Sequence, residues 1–156
     1  TQLWNIVKEA GKPWGIGPGN PSWSERVESG LISYGGDTDR ETNPFEVRMG
    51  KYIDLDVADD VIGIKALRRI HAAGPQRHSL GIILEGKDPI TFGFAWNDIR
   101  KDGVKVGDMT TCAWSYRMKK NIGFALISTR CKAGDTIEVV RQDKVIPGTL
   151  TELPFL

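Results

Sequence analysis

Two carboxylates, Asp37 and Asp39, stand two residues apart in a segment rich in glycine and threonine. A pair of this kind could transfer protons in general acid–base catalysis. Aspartate is also a favourable turn residue, because its side chain hydrogen-bonds nearby backbone groups. The local composition favours the turn, so we expect both residues to stabilise backbone structure there.

Other residue types that could do chemistry lack the spacing that a site requires. His71 and His78 have no cysteine or carboxylate at metal-ligand spacing, so we expect no metal site. The Gly-x-Gly-x-Gly run at 15–19 follows no strand and is interrupted by prolines, unlike a dinucleotide-binding fingerprint. Cys112 and Cys131 are far apart in the sequence, which indicates free thiols in a reducing cytoplasm.

The composition argues against two function classes. The 156 residues include 21 Lys+Arg and 20 Asp+Glu, which gives a net charge of +1. Nucleic-acid binding needs a marked basic excess, so we do not expect it. The sequence has no run of about 18 apolar residues, so we expect no membrane-spanning helix. The first residues match the middle of a helix and lack an initiator Met or a signal peptide, which predicts a piece of a longer cytoplasmic protein.

Two helices are predicted near the start of the chain. Apolar residues at three-to-four spacing predict an amphipathic helix over 3–11. A second helix is expected to begin at Ser22 or Ser24, since Ser22 and Glu25 fit a capping box. It would end at Gly30, because glycine adopts a left-handed cap without steric cost.

A strand and a third helix complete the first half. Alternation over 51–55 predicts a short strand. The helix is expected to be capped by Asp59 or Asp60, to place an apolar face along 61–70, and to stop at Gly74 before a proline.

Past residue 75 the hydrophobic period becomes that of β-strands. Short β-type runs separated by turn signals lie at 80–84, 90–94, 104–106, 122–127 and 136–140. This spacing predicts a small antiparallel barrel. We therefore divide the chain into a helix-rich region, 1–74, and an all-β domain, 75–156.

Three motifs in the first half resemble the glycine cleavage T-protein (aminomethyltransferase) family. An Arg-Val-Glu-Ser-Gly block at 26–30 precedes a Tyr-Gly pair at 34–35 and an Asn-Pro-Phe-Glu turn at 43–46. The segments 107–123, 133–139 and 153–155 extend the resemblance to the end of the chain. It implies an α+β fold: the tail of a ferredoxin-like α/β lobe followed by a C-terminal antiparallel Greek-key β-barrel.

The resemblance also implies an activity, the transfer of a one-carbon unit from a small-molecule donor to tetrahydrofolate. The residues 43–46 and 51–55 look more like the dimethylsulfoniopropionate demethylase branch, which moves a methyl group. Aminomethyl transfer in the glycine cleavage system is the first alternative, and a non-catalytic barrel module of a larger folate-linked oxidoreductase is the second. A folate-binding regulator without catalysis is a third reading. Because the family's key acidic residue lies in an N-terminal half that this chain lacks, we expect no catalytic residue here.

The family pattern assigns two residues of this chain to the folate pocket, Arg26 and Tyr34. The alternatives are a salt bridge from Arg26 to Glu25 or Glu28 and plain packing for Tyr34. Glu28, like Glu46, is expected to be structural.

An aromatic and basic cluster formed by Trp114, Tyr116 and Lys119 could contact the folate tail or a docking partner. The alternative is a hairpin with solvated charges. The missing N-terminal half is the expected protein partner.

Overall fold

The architecture is a closed β-barrel preceded by a helical region. The computed structural model describes residues 1–17, 19 and 22–156, with side chains except at 93–95. Three helices come first: α1 (Gln2–Gly11), α2 (Trp23–Glu28) and α3 (Ile64–Ala73), with single 3-10 turns at Lys12–Trp14 and Gly50–Tyr52. Six strands follow: β1 (Arg77–Leu84), β2 (Phe92–Lys101), β3 (Val104–Ser115), β4 (Lys120–Ser128), β5 (Thr136–Arg141) and β6 (Lys144–Thr151).

The strands pair in the order β1-β4-β3-β2-β5-β6, and β6 returns to β1 to close the barrel. Every pairing is antiparallel. The order of the first four strands is that of a Greek key. The β2–β3 connection is an Asp102-Gly103 turn in which both residues have positive φ, as tight hairpins require. The predicted α+β class with an antiparallel barrel is thus confirmed.

Two hydrophobic clusters form the core. The barrel interior is filled by inward-facing side chains of all six strands: Leu80, Ile82, Leu84, Phe92, Ile99, Met109, Cys112, Ala125, Ile127, Ile137, Val139 and Leu150, with Cys131 beside them. The second cluster lies where α2 covers the outer face of β3 and β4, and it joins Val27 to Ala113, Ile122, Phe124 and Leu153. Helix α2 is therefore held on the barrel by apolar burial.

The predicted boundaries of α2 are confirmed. The Ser22 hydroxyl accepts from the backbone N–H of Glu25, and the Glu25 carboxylate accepts from the backbone N–H of Ser22, which completes the capping box. Gly30 follows the helix with φ +70°. The predicted α1 is also confirmed, at Gln2–Gly11.

Two predictions for the 51–63 region are wrong. No strand forms at 51–55, where the chain makes the 3-10 turn Gly50–Tyr52 followed by bends. Helix α3 begins at Ile64 after Gly63 in the left-handed region, so neither Asp59 nor Asp60 caps it. The reason is a tertiary contact: the Arg68 guanidinium binds the Asp59 carboxylate and the carbonyls of residues 55 and 57, which holds this segment as a loop.

The strand predictions succeed for most of the barrel but miss β6. That strand contains Pro147 and Gly148, which are both poor strand formers. Pro147 lacks an N–H but still contributes its carbonyl, which accepts from the backbone N–H of Glu85. Strand β3 also runs much further than the predicted 104–106, and β2 begins at Phe92 and not at residue 90.

Candidate functional site

The signature segment, 22–48, lies against one side of the barrel. The Trp23 indole donates to the Cys112 carbonyl at 3.3 Å, and the Ser24 hydroxyl donates to the Trp114 carbonyl at 2.9 Å. These two carbonyls belong to the end of β3, so α2 hydrogen-bonds along that strand in addition to packing on it. The helix fixes the positions of the Arg26 and Glu28 side chains, which point to the barrel.

Arg26 is the centre of this contact. Its Nη1 donates to Asp37 Oδ2 at 2.7 Å and to the Leu31 carbonyl at 2.8 Å, while Nη2 donates to Thr111 Oγ1 at 3.2 Å. The guanidinium also stacks over the Trp23 ring, 4.3 Å from its centroid. Its side chain is 14% exposed. The alternative pairing with Glu25 or Glu28 is wrong, because the carboxylate that binds Arg26 is Asp37.

The Asp37 carboxylate is buried and fully hydrogen-bonded. Besides Arg26, it accepts from the Ser33 backbone N–H at 2.8 Å and from the hydroxyls of Thr110 and Thr111 at 2.7 and 2.6 Å. Asp37 therefore stabilises its turn through the Ser33 N–H and attaches that turn to β3 through the two threonine hydroxyls. Both carboxylate oxygens are thus occupied by donors of the chain itself.

Asp39 serves the turn, as expected. It accepts from the Thr42 hydroxyl at 2.9 Å and from the Glu41 backbone N–H at 2.9 Å. The Thr42 hydroxyl and then the Glu41 N–H hold the pKa of Asp39 below its usual value. Asp37 and Asp39 thus bind different groups and do not form an acid–base pair.

The two glutamates of the motifs are structural, as expected. Glu28 is 2% exposed, and its Oε1 accepts from the Ser115 hydroxyl at 2.6 Å. Glu46 is also buried and binds Arg77 Nε at 2.9 Å, while its Oε2 accepts from the Asn43 backbone N–H. The Glu46 carboxylate raises the pKa of Arg77. Both residues join the helical region to the barrel.

Tyr34 has a different environment from Arg26. Its side chain is 72% exposed, and its backbone pairs with Thr38 in an isolated bridge. Neither Arg26 nor Tyr34 is in the wall of the cavity that opens beside this segment. The structure therefore separates a buried cation from an exposed phenol.

A cavity of about 480 Å³ opens beside the signature segment. Its wall includes Tyr52, Lys51 and Met49 on one side and residues 29–32 with Pro154 on the other. The Lys51 ammonium lies 4.9 Å from the Tyr52 ring centroid, and that ring is 75% exposed. An aromatic face with a cation suits a flat ligand that carries an anionic group.

The alternation over 51–55 predicts a strand, so this cavity was not expected from the sequence. The available signal is the neighbouring pair itself, the Lys51 cation beside the Tyr52 ring.

The remaining candidates lie together on the β3–β4 hairpin. Trp114 is partly buried near the end of β3, whereas Tyr116 and Lys119 are exposed in the turn. Their neighbour Arg117 has its Nε 3.5 Å from the buried Glu28 Oε2. The described structure assigns no ligand contact to Trp114, Tyr116 or Lys119, so their role stays a prediction.

The described part of the chain contains neither a candidate metal cluster nor a candidate membrane-spanning helix. Across the described ranges, no cluster of three or more histidine, cysteine or acidic side chains is suited to a metal ion. Within the same residues, no helix has the length and apolar character to cross a membrane. Cys112 and Cys131 are buried free thiols.

Known proteins are similar to this chain in sequence and in fold. An aminomethyltransferase from Synechococcus sp. (strain CC9902) is 32% identical over 155 residues, which cover 98% of this chain and 41% of that protein. Dimethylsulfoniopropionate demethylase DmdA from Ruegeria pomeroyi (strain ATCC 700808 / DSM 15171 / DSS-3) is 32% identical over 151 residues, 96% of this chain and 40% of that protein. The chain thus spans about two-fifths of the length of these relatives.

The crystal structure of glycine cleavage system aminomethyltransferase T from Bartonella henselae has the same fold. It matches with a TM-score of 0.75 at 21% identity, over 86% of this chain and 37% of that one. The family model for the glycine cleavage T-protein C-terminal barrel domain matches residues 77–156, which are β1 to β6 with the chain end. This chain therefore belongs to the glycine cleavage T-protein C-terminal barrel domain family.

Proposed function

We propose that this chain is the C-terminal portion of a tetrahydrofolate-dependent aminomethyltransferase. The observation that carries the proposal is the extent of the match. Similarity to an aminomethyltransferase covers 98% of the chain, so it includes the helical region before the barrel domain. Other aminomethyltransferases match at 28–31% identity over comparable lengths. This support makes aminomethyl transfer the leading activity and demethylation the second candidate.

The cavity beside the signature segment supports folate as the ligand. Tetrahydrofolate combines a flat pterin, an aromatic linker and a glutamate tail, so its site needs aromatic faces and a cation. Tyr52 offers an exposed ring, and Lys51 offers a cation beside it. We propose that this cavity faces folate and that the rest of the protein closes it over the ligand.

The two family-assigned residues receive different roles in this proposal. The exposed Tyr34 phenol can contact a ligand directly. The Arg26 guanidinium donates to Asp37, to the Leu31 carbonyl and to Thr111, so it acts as a positioning residue that holds 31–37 on the barrel. We propose that the acid or base of the chemical step lies outside this chain.

The demethylase alternative rests on two observations. The Ruegeria demethylase and the Synechococcus aminomethyltransferase are both 32% identical to this chain. Lys51 and Tyr52 also belong to the 51–55 segment that resembles the demethylase branch. The Lys51 ammonium suits carboxylates, and the glutamate tail of folate carries two, whereas dimethylsulfoniopropionate carries one together with a repelling sulfonium cation. Lys51 therefore favours a folate contact under either activity.

Tetrahydrofolate titration tests the proposal. We expect binding by the longer polypeptide encoded by the reading frame that contains this chain, and none by the 156-residue chain. Tyr34→Ala and Tyr52→Ala should each weaken binding about tenfold or more, since stacking on an aromatic ring contributes about 1–3 kcal/mol. Trp14→Ala is the control, because this aromatic side chain is 82% exposed and lies outside the cavity wall. Tyr116→Ala tests separately whether the β3–β4 hairpin contacts the folate tail.

Turnover then separates the activities. The longer polypeptide should transfer a one-carbon unit from an aminomethyl donor and not from dimethylsulfoniopropionate, and the reverse result would establish the demethylase. The 156-residue chain should show no turnover with either donor. Turnover by this chain alone, or no folate binding by the longer polypeptide, would refute the proposal.

A further inference from the structure

A small cavity of about 10 Å³ adjoins the large cavity of about 480 Å³ described above. The walls of the two cavities share three residues, Ile32, Val47 and Ser79. The wall of the small cavity also includes Asp37, Thr110 and residues 124–126 of β4. A volume of about 10 Å³ accommodates one water molecule. Any ligand of the small cavity is therefore of about that size.

The small cavity lies at a β-bulge in β3. The register of β3 with β4 includes Met109 and Thr111 but not Thr110, which is therefore the extra residue of the bulge. Adjacent side chains of a regular strand point to opposite faces. Here the hydroxyls of both Thr110 and Thr111 donate to the same Asp37 oxygen, Oδ1. The bulge thus turns Thr110 towards Asp37 and opens the strand pair beside it.

Ser79 is a buried polar residue in the wall that the two cavities share. It is 7% exposed, and within the described part of the chain its side chain makes no hydrogen bond. A buried hydroxyl without a partner is costly, and nearly all buried polar groups in proteins have one. Ordered water is the usual partner where the chain supplies none. The Ser79 hydroxyl therefore requires a small polar ligand.

The Asp37 carboxylate does not make the small cavity a cation site. Its Oδ1 accepts from two threonine hydroxyls, and its Oδ2 accepts from the Arg26 guanidinium and the Ser33 N–H. A carboxylate has about four lone-pair positions, so these four donors occupy it, and the guanidinium balances its charge. A neutral ligand that both donates and accepts hydrogen bonds is what the remaining hydroxyls can bind.

We infer that the small cavity holds one ordered water molecule between the hydroxyls of Ser79 and Thr110. The Thr110 hydrogen is donated to Asp37, so the water donates to the Thr110 oxygen. The Ser79 hydroxyl is the second partner, and two partners are within the range of about two to four that buried waters have.

The water connects the large cavity to the buried ion pair. Its hydrogen bonds join Ser79, in the wall of the large cavity, through Thr110 to Asp37 and thus to Arg26. This inference goes beyond the proposed function, because it requires neither folate nor any portion outside this chain. A failure of folate binding would leave it unaffected.

A crystal structure of the 156-residue chain tests the water directly. We expect a density peak within about 3.2 Å of both Ser79 Oγ and Thr110 Oγ1. Ser79→Val puts two methyl groups in place of the hydroxyl and should remove the peak, while the hydrogen bond from Thr110 to Asp37 stays. A well-ordered map of the native chain without the peak would overturn the inference, and so would a peak that persists in Ser79→Val.

Thermal unfolding of Ser79→Ala provides a second test, because the sign of the effect is informative. With the water bound, the variant loses a hydrogen bond and its Tm should fall by about 2–4 °C. Without the water, the change would remove an unsatisfied buried hydroxyl, so Tm would stay the same or rise. Ser29→Ala is the control, since it removes an exposed hydroxyl from the wall of the large cavity alone, and it should change Tm by less than about 1 °C. An unchanged or higher Tm of Ser79→Ala would overturn the inference.

Discussion

Arg26 Nη1 lies 2.7 Å from Asp37 Oδ2, and the side chains of the two residues are 14% and 2% exposed. The pair joins a helix of the first half to a turn eleven residues later, and both ends bind the hydroxyl of Thr111 on β3. Ion pairs buried to this degree are poor sources of net stability but are costly to break, because the remaining partner stays uncompensated. The pair thus fixes where the signature segment meets the barrel.

Breaking this pair should destabilise the fold. Asp37→Asn keeps the size of the side chain but leaves the Arg26 cation without its carboxylate, so we expect the free energy of unfolding to fall by about 3 kcal/mol. Urea denaturation of the 156-residue chain measures it. Lys12→Ala is the control, because its partner Glu9 forms an exposed pair, and it should change stability by less than about 0.5 kcal/mol. Equal effects of the two changes would contradict the structural role of Arg26.

Gly123 should not tolerate a side chain. Its Cβ would lie 2.1 Å from Met109 Cε and 2.2 Å from the Thr111 carbonyl oxygen, a backbone atom of the adjacent strand that cannot rotate away. We expect Gly123→Ala to lower the free energy of unfolding by about 3 kcal/mol, the upper end for overpacking. Gly17→Ala is the matched control, since nothing lies within 4 Å of its Cβ position. Chemical denaturation of both variants checks the difference, and a neutral Gly123→Ala would contradict the barrel packing.

The Lys101–Asp135 contact predicts a pH dependence of stability. Lys101 Nζ donates to Asp135 Oδ2 at 2.7 Å, and this bond, followed by the Lys132 backbone N–H, lowers the pKa of Asp135 from its usual 3.8. A carboxylate with a depressed folded-state pKa stabilises the fold above the unfolded pKa and loses this contribution as pH falls through the folded one.

Stability due to this contact should therefore be complete above about pH 5 and should decline below about pH 4. Urea midpoints from pH 3 to 7 for the native chain and for Lys101→Met should differ most at pH 7, and the difference should shrink as the pH falls below 4. A difference that stays constant over this range would show that Asp135 does not titrate against Lys101.

The Cys112 thiol should be unreactive in the folded chain. Burial raises its pKa to about 12 from 9.0, so its thiolate fraction at neutral pH falls about 1000-fold. We expect iodoacetamide to modify Cys112 in urea and to leave it unmodified under native conditions. Mass spectrometry of the peptides that carry Cys112 and Cys131 provides the measurement. Rapid native alkylation of Cys112 would contradict its place inside the barrel.

The elements that were predicted correctly are those whose structure depends on residues close together in the sequence. The capping box of Ser22 and Glu25 and the left-handed Gly30 form through contacts within one turn of helix, so residue type and spacing were sufficient. The strands 80–84, 122–127 and 136–140 were found because burial on a barrel imposes a clear apolar pattern. The family motifs likewise carry their information in spacing.

The features that were not predicted are those whose structure depends on contacts with residues elsewhere in the chain. The start of α3 could not be predicted, because Arg68 holds the preceding loop through Asp59 and two backbone carbonyls. Strand β6 was missed because Pro147 and Gly148 lower its local propensity, while pairing with β5 and β1 supplies the stabilisation. The cavity beside Tyr52 was not predicted either, because its walls come from segments about 100 residues apart in the sequence.

The amino-acid sequence by itself determined the α+β class, the barrel and the resemblance to T-proteins, because periodicity and motif spacing are properties of the chain. The tertiary structure alone decided that Arg26 binds Asp37, that Tyr34 is exposed and that a cavity forms beside Tyr52. Those outcomes depend on which side chains the folded barrel brings within bonding distance, and no local pattern encodes that proximity.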